Sequence, residues 1–206
     1  MRKDEGMLNE YVKKEMLSSK KMSLLQRSFL AAKPFPHVVM KDFFVEPFVS
    51  EVIAGLRSEV FVHQESDLFS FMQTEDLEKS AHEKVQLFYR LLSSSEFKGF
   101  VQGITGLKVN GKVDCSAFVY HPGDYLLPHD DRLEGRRVAY TFHASTLSGR
   151  GGGALEFFEG AKKVVSIPPR RNTFILFWVK EGVTVHQVSE IVGDNERLSV
   201  AGWFND

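Results

Sequence analysis

Three side chains in the second half of the chain could bind one metal ion together. His129 and Asp131 are separated by a single residue, and an imidazole and a carboxylate at this spacing can reach the same ion from one face of a turn. The pair alone is weak evidence, because Asp-rich surface turns are common. His186 adds a third donor in the alternating stretch 183–189, where the alternative is a histidine hydrogen-bonded at a sheet edge. The three together would suit Fe(II), Mn(II) or Zn(II).

Arg197 and Ser199 form a second candidate site on the following predicted strand. Alternation places both side chains on one face, and a guanidinium beside a hydroxyl suits the far carboxylate of a dicarboxylic co-substrate whose other end chelates the metal. Two imidazoles and one carboxylate are the facial triad of non-haem Fe(II) oxygenases, so a triad followed by this clamp favours that chemistry. The alternative is an exposed arginine after the turn 193–196.

The C-terminal half has the pattern of an antiparallel β-sandwich. Short alternating runs are separated by Gly, Pro, Asn and Asp clusters, without alternating helices, which is typical of a sandwich or jelly roll. We therefore expect a mainly β fold with N-terminal helices, in which a double-stranded β-helix (jelly roll, cupin-like) is buttressed by helices. The predicted strands are Lys112–Tyr120, Arg137–Ala144, Ala154–Glu159, Lys162–Ile167, Thr173–Val179, Val183–Ser189 and Arg197–Phe204.

The chain is expected to be one catalytic domain, 1–206, in three parts. Residues 1–33 form a basic helical segment with eight basic and four acidic side chains, a local charge of 8 − 4 = +4; a solvated face is favoured over a nuclear-import or ribosome-docking arm. Residues 34–111 form a helical support region, in which a polar loop near 64–67 leads to Thr74 as a possible N-cap. Residues 112–206 form the β-helix core.

Composition restricts the class of protein. The formal net charge of −1 among 206 residues gives no general attraction to nucleic acid or to anionic membranes, and no apolar run is long enough to span a bilayer. A charged N-terminus without an apolar segment indicates that no signal peptide is present. Cys115 is the single cysteine, which favours a reducing compartment, so we expect the cytoplasm, the nucleus or both.

Longer motifs resemble a known family. They are Asp67–Leu77, His129–Arg137, His186–Glu190 and Arg197–Phe204. These stretches resemble the Fe(II)- and 2-oxoglutarate-dependent dioxygenases and, among them, the eukaryotic prolyl hydroxylases that modify a small-subunit ribosomal protein. The resemblance covers most of the chain.

The resemblance implies roles for individual residues. His129, Asp131 and His186 would hold Fe(II), and 2-oxoglutarate and O2 would be co-substrates, with ascorbate as a further candidate. Arg197 would bind 2-oxoglutarate, and Tyr120 would donate its phenol to it. At His143 the family more often has a tyrosine facing the co-substrate, and we hypothesise that the imidazole takes over that contact. The candidate co-substrate residues are therefore Arg197, Tyr120, Ser199 and His143.

The function predicted is hydroxylation of a proline in a protein substrate, a small-subunit ribosomal protein by resemblance. The open alternatives are a 2-oxoglutarate oxygenase for a small molecule or nucleic acid, and a non-catalytic metal-binding β-helix that binds a partner; Asp131 argues against a halogenase. Family members commonly carry a second, non-catalytic β-helix domain after the catalytic one, so we expect this chain to be either a short form or a truncated one. The Gly-rich stretch 149–153 is interpreted as a mobile rim, and Arg136 as an exposed strand-end residue. Oligomeric state stays open.

Overall fold

In the computed structural model, which describes residues 6–148 and 150–206, eleven strands pair into one antiparallel sheet. The strands are β1 His37–Lys41, β2 Val62–Ser66, β3 Phe69–Gln73, β4 Val113–Tyr120, β5 Tyr125–His129, β6 Arg136–His143, β7 Leu155–Glu159, β8 Lys162–Ile167, β9 Thr173–Trp178, β10 His186–Val188 and β11 Arg197–Asn205. The helices are α1 Met7–Tyr11, α2 Lys14–Leu17, α3 Ser19–Ala31, α4 Glu46–Leu56, α5 Glu83–Ser93 and α6 Ser95–Thr105, with a 3-10 turn at Leu77–Lys79.

The sheet curls so that its two arms face each other. Its strand order is β1-β9-β6-β11-β4-β3-β5-β10-β7-β8, with β2 pairing on β3. Phe177 on β9 and Phe157 on β7 come from different arms, yet their ring centroids are 5.4 Å apart, and Phe35 packs 4.7 Å from Phe157 between them. The expected mainly β fold with helical support is confirmed, and all seven strands predicted from alternation are present, with β10 shorter than expected.

The helices cover the outer face of the larger arm. On β6, Val138, Tyr140 and Phe142 point outward and are buried against the helices, whereas Ala139 and Thr141 point between the arms. Phe142 packs 5.3 Å from Phe88 of α5, centroid to centroid. Burial on both faces explains why residues 138–142 of this strand do not alternate between apolar and charged side chains.

Helix boundaries follow from capping residues. The side chain of Ser94 accepts a hydrogen bond from the Phe97 N–H and begins α6, and Gly106, at φ 72°, ends it in a left-handed conformation. Pro47 lies in the first turn of α4, where its missing N–H costs no helical hydrogen bond. The described part of the chain has no helix that is both long and apolar enough to cross a membrane.

The polar loop expected near 64–67 is instead a hairpin of β2 and β3. Every residue of β2 is exposed, so neither face carries the apolar alternation that would reveal a strand. Thr74 does not cap a helix: its hydroxyl accepts a hydrogen bond from the Ala117 N–H and ties the end of β3 to β4. Asp76 caps the 3-10 turn that follows.

Two further segments can be compared with expectation. The basic N-terminal segment has three helices in its described part, α1, α2 and α3, while residues 1–5 lie outside the described residues. In the Gly-rich stretch, Gly149 also lies outside the described residues and Arg150 is exposed, whereas residues 151–153 pack closely against 190–195. The mobile rim stays a prediction. Gly152, at φ +70°, pairs with Ile191, and a Cβ there would lie 1.8 Å from the Glu190 carbonyl oxygen.

Candidate functional site

Strand pairing brings the three predicted metal ligands together. His129, the last residue of β5, lies directly opposite His186, the first residue of β10, and their ring centroids are 4.2 Å apart. Asp131 follows in the loop after β5. Its two carboxylate oxygens lie 3.5 Å from Nε2 of His129 and 3.4 Å from Nε2 of His186. One potential ligand atom from each residue therefore falls within 4.8 Å of the others.

Backbone carbonyls orient both imidazoles. Nδ1 of His129 is 2.9 Å from the Leu127 carbonyl oxygen, and Nδ1 of His186 is 2.9 Å from the Thr184 carbonyl oxygen. A carbonyl only accepts, so each Nδ1 must carry a proton, and in the neutral ring the lone pair is on Nε2, on the side of Asp131. In this tautomer each imidazole can bind a metal ion through Nε2.

Burial and charge act in opposite directions on the three groups. Burial raises the pKa of Asp131, but the His186 charge and the contact with His129 lower it more, to about 2. Burial lowers the pKa of His129, but the neighbouring Asp131 carboxylate raises it by more, so the pKa lies above its usual value. Burial lowers the pKa of His186, and the attraction to Asp131 does not offset this. The carboxylate is thus ionised and ready to bind a cation at neutral pH.

The donor set fits Fe(II). Nitrogen and carboxylate ligands bound to one ion at roughly 2.0–2.2 Å, at right angles to each other, are about 3 Å apart, close to the separations found here. His129 is partly exposed, with 25% of its side chain accessible, whereas Asp131 and His186 are buried. One side of the set therefore remains open for further ligands.

The second predicted group, Arg197 with Ser199 and Tyr120, lines the same cavity of about 440 Å³. Arg197 lies opposite Tyr120 on β4, donates from Nη1 to the Ser199 hydroxyl at 3.0 Å, and holds its guanidinium carbon 5.0 Å from the Tyr120 ring centroid. Burial raises the pKa of the Tyr120 phenol to about 12, so it stays protonated and can donate to an anion.

Arg197 is a buried cation without a counter-ion. Its residue is 2% exposed, its Nε has no hydrogen-bond partner, and burial lowers its pKa. No carboxylate in 6–148 or 150–206 forms an ion pair with it. An unpaired buried charge costs several kcal/mol, so the fold keeps it at a cost that an anionic ligand would offset.

His143 lies beside this cation but deeper than the cavity wall. It is opposite Ser199 on β11 and Thr173 on β9, fully buried, and neither ring nitrogen has a partner. Burial and the Arg197 charge lower its pKa well below the usual value. The Thr173 hydroxyl is likewise buried and unpartnered. Contact between His143 and a co-substrate remains a prediction.

Sequence reasoning did not identify Trp203 and underrated Arg136. The Trp203 Nε1 is buried, has no partner of hydrogen-bond geometry, and faces the Asp131 carboxylate closely enough to lower its pKa. Arg136 is half-buried, not exposed: it stacks on the Trp203 ring at 3.3 Å from the centroid and donates to the Asp131 carbonyl at 3.3 Å. Alternation along β11 puts Trp203 on the Arg197 face, which was the available signal.

The comparison with family models agrees with this geometry. The model of the 2OG-Fe(II) oxygenase superfamily matches residues 115–205, the stretch that contains both groups of side chains. Residues 115–205 therefore match the domain of the 2OG-Fe(II) oxygenases, and the cofactors of that family are Fe(II), 2-oxoglutarate and O2. The expected resemblance to this family is confirmed.

Among curated proteins, the chain is similar to prolyl hydroxylases. It is 34% identical to prolyl 3,4-dihydroxylase OGFOD1 of Ostreococcus tauri over 201 residues, which cover 86% of this chain and 39% of the relative. It is also 34% identical to prolyl 3-hydroxylase OGFOD1 of Xenopus laevis, covering 85% of this chain and 36% of the relative. The chain thus spans less than two fifths of the length of each of these relatives.

Solved structures show the same fold. A Pseudomonas putida prolyl-4-hydroxylase superposes with a TM-score of 0.74 at 18% identity, covering 90% of this chain and 99% of that one. A Trichoplax adhaerens prolyl hydroxylase, solved with a hypoxia inducible factor peptide fragment, gives 0.72 at 18% identity, with 94% of each chain covered. The double-stranded β-helix expected from the strand pattern is confirmed.

Proposed function

We propose that this chain is an Fe(II)- and 2-oxoglutarate-dependent prolyl hydroxylase acting on a protein substrate. The observation that carries the proposal is one cavity lined by two complementary groups. His129, Asp131 and His186 offer a cation site, and the unpaired Arg197 offers an anion site. A dicarboxylate that chelates the metal can place its far carboxylate on the guanidinium fork.

The residues would divide the work as follows. His129, Asp131 and His186 would hold Fe(II), and the metal with 2-oxoglutarate and O2 would supply the oxidising chemistry, in which one oxygen atom enters a substrate C–H bond and the other enters succinate as the co-substrate loses CO2. Arg197, Ser199 and the protonated Tyr120 orient the co-substrate. Apolar walls exclude water and suit an uncharged ring; they include Phe71, Phe118, Leu126, Phe177 and Val188. Ascorbate is proposed as an auxiliary reductant of the iron.

A proline in a small-subunit ribosomal protein is the proposed substrate. The names of the curated relatives support proline as the target residue, and the resemblance of Asp67–Leu77 and His129–Arg137 to the ribosomal hydroxylases supports the ribosomal protein. Such a substrate would place the protein in the cytoplasm, the nucleus or both.

The test uses the purified protein with Fe(II), 2-oxoglutarate and peptides that tile small-subunit ribosomal proteins. Mass spectrometry should find a gain of one or two oxygen atoms on a proline, matched by succinate formation. The Asp131→Ala variant should give neither. Succinate without peptide oxidation, and with oxidation of a nucleoside or small metabolite instead, would replace the protein substrate with one of those classes; absence of both products under all conditions would favour a non-catalytic binding module.

A further inference from the structure

Asp130 lies between two of the proposed metal ligands but does not belong to their cluster. Its carboxylate turns the other way: Oδ2 accepts a hydrogen bond of 2.8 Å from the Gly182 N–H. Gly182, at φ 66°, is part of a tight turn at 180–184 just before β10. Asp130, which follows the ligand His129, is therefore hydrogen-bonded to Gly182, 52 residues further along the chain. Gly182 belongs to the turn that precedes the ligand His186.

That turn fixes the orientation of His186. The Thr184 N–H donates to the Lys180 carbonyl at 3.1 Å, and the Thr184 hydroxyl bonds to both backbone groups of Lys180. The Thr184 carbonyl then accepts from Nδ1 of His186. Movement of the turn would rotate the imidazole, because this carbonyl is the only group that holds its Nδ1 among the described residues.

Strand pairing holds the backbone of His186 but does not by itself fix the orientation of its ring. β10 has only three residues, and its register with β5 shifts between His186 and Val188. On the other side, His186 pairs with Phe157 of β7, and the Val185 carbonyl accepts a hydrogen bond of 3.1 Å from the Phe158 N–H. The sheet therefore positions the backbone of His186, and the turn orients its imidazole.

A second bridge joins the same two segments through two side chains and not through the backbone, and it is solvent-exposed, as is the Asp130–Gly182 hydrogen bond. Arg132 donates from Nη1 to the Glu181 carboxylate at 2.5 Å, but both side chains are about two-thirds exposed, at 65% and 67%. An ion pair this exposed contributes little, about 0–1 kcal/mol, because water screens it. It provides a matched comparison for the Asp130 hydrogen bond.

We propose that Asp130 is a positioning residue for the metal centre: its hydrogen bond to Gly182 holds the His129–Asp131 segment against the turn that orients His186. The inference rests on the proposed metal site. Removing a neighbour that orients a metal ligand typically lowers metal affinity 10- to 100-fold, and a loss of this size is expected when the Asp130 acceptor is removed.

The charge of Asp130 needs separating from its hydrogen bond, because the carboxylate is close enough to both imidazoles to raise their pKa values and would also attract a cation directly. Asp130→Asn keeps an oxygen that can accept from Gly182 but removes the charge. Asp130→Ala removes both. Positioning predicts that the Asn variant resembles the wild type and the Ala variant does not.

The experiment measures Mn(II) affinity by calorimetry at one fixed pH, without 2-oxoglutarate, for the wild type, Asp130→Ala, Asp130→Asn, Glu181→Gln and Asp131→Ala. Hydrogen exchange across residues 180–184 and the thermal midpoint of the metal-free proteins are measured in parallel. We expect Asp130→Ala to lose about 10- to 100-fold in affinity and to exchange faster at 180–184. Asp130→Asn and Glu181→Gln should stay within about threefold of the wild type, and the midpoints should move little.

Wild-type affinity in Asp130→Ala, or an equal loss in Asp130→Ala and Asp130→Asn, would overturn the inference; the second result would assign the effect to charge. Both conclusions require that Asp131→Ala abolishes Mn(II) binding. If Asp131→Ala binds like the wild type, the proposed metal site itself fails, which is a different outcome from failure of the positioning role alone.

Discussion

The two faces of β11 are built for different purposes. Leu198, Val200 and Phe204 point toward the helices and are essentially inaccessible in an apolar core. Arg197 and Ser199 alternate with them, point into the cavity and are just as buried. Burial is therefore not what separates the faces. They differ in whether the buried groups are satisfied by the protein itself.

The outer face is complete without a ligand. Its aromatic rings interlock at centroid separations of about 5 to 6 Å, as in the pair Phe44–Phe142 at 5.4 Å and Phe43–Phe174 at 5.1 Å. The inner face leaves polar atoms unpaired: Arg197 Nε, both His143 nitrogens and Trp203 Nε1. Buried polar groups normally find partners. Two further unpaired atoms, His82 Nδ1 and Ser93 Oγ, lie at the ends of α5 in the helical layer, but those of the inner face lie on β6 and β11 around one cationic side chain, Arg197, and indicate where a ligand acts.

Asp131→Ala should remove the function of the inner face while sparing the fold. The variant loses the only carboxylate of the ligand set, so Mn(II) affinity should fall by more than about 100-fold, beyond the loss expected from disturbing a neighbour of a ligand. Calorimetry measures the affinity and circular dichroism the fold. His121→Ala, which removes a histidine outside the cluster, is the control. Retained affinity in Asp131→Ala would take this residue out of the site.

Phe174→Ala should have the opposite effect, lowering the stability of the fold while leaving the metal affinity unchanged. Phe174 is fully buried on the outer face, and deletion of a buried phenylalanine ring costs about 3–5 kcal/mol of unfolding free energy. Urea unfolding should show this loss, while Mn(II) affinity of the folded fraction stays unchanged. Leu24→Ala, at an exposed helix position, should cost far less. A large drop in Mn(II) affinity would mean that the two faces are not independent.

Arg197→Met should weaken co-substrate binding without weakening the fold. Loss of a charge-assisted hydrogen bond is worth about 1.5–3 kcal/mol, or roughly 10- to 150-fold in affinity for 2-oxoglutarate. Because the free protein buries this charge unpaired, an apolar replacement should leave its stability equal or higher. Arg197→Lys should also bind 2-oxoglutarate poorly, since an ammonium lacks the planar fork. If both variants bind 2-oxoglutarate with the wild-type affinity, the co-substrate binds elsewhere.

The contrast between the faces also explains what the sequence could predict. Alternation along β11 was sufficient to place Arg197 with Ser199, because period two directly encodes which face of a strand a side chain occupies. The grouping of His129 with His186 came from their ligand chemistry instead, since alternation does not say which strands are neighbours. The β2–β3 hairpin could not be predicted in the same way, since β2 is exposed on both faces. A strand without a buried face has no alternation of apolar and polar residues by which it could be recognised in the sequence.

The loop residues were beyond the reach of periodicity. Asp131 follows the end of β5, and its contacts with Arg136 and Trp203 depend on the path of a loop rather than on spacing. The same holds for Asp130, because its partner Gly182 lies in the turn at 180–184, just before the predicted strand Val183–Ser189. The ligand types were therefore predictable, whereas the residues that hold the ligands in place were not.

His143→Phe provides the finest test of the contrast, because it concerns one buried imidazole on the inner face. In the folded protein, burial and the Arg197 charge lower the pKa of His143 well below the usual value near 6.5. In the unfolded chain the pKa returns to about 6.5. At neutral pH the ring is therefore neutral in both states, and titration of His143 has no effect on stability.

As the pH falls below about 6.5, the unfolded chain takes up a proton that the native protein does not, so the native state loses stability. The slope for one such group approaches about 1.4 kcal/mol per pH unit, and it continues until the pH reaches the lowered native pKa. His143→Phe removes this contribution and keeps the ring volume.

Urea unfolding of both metal-free proteins across a pH series should give a difference in unfolding free energy that is constant above about pH 7 and moves in favour of the variant below about pH 6.5. Other buried histidines contribute equally to both proteins and cancel in the difference, and His121→Phe, at an exposed position, is the matched control. A difference that stays constant across the whole series would show that His143 gains a partner for its charged form, and would remove it from the groups that the inner face leaves unsatisfied.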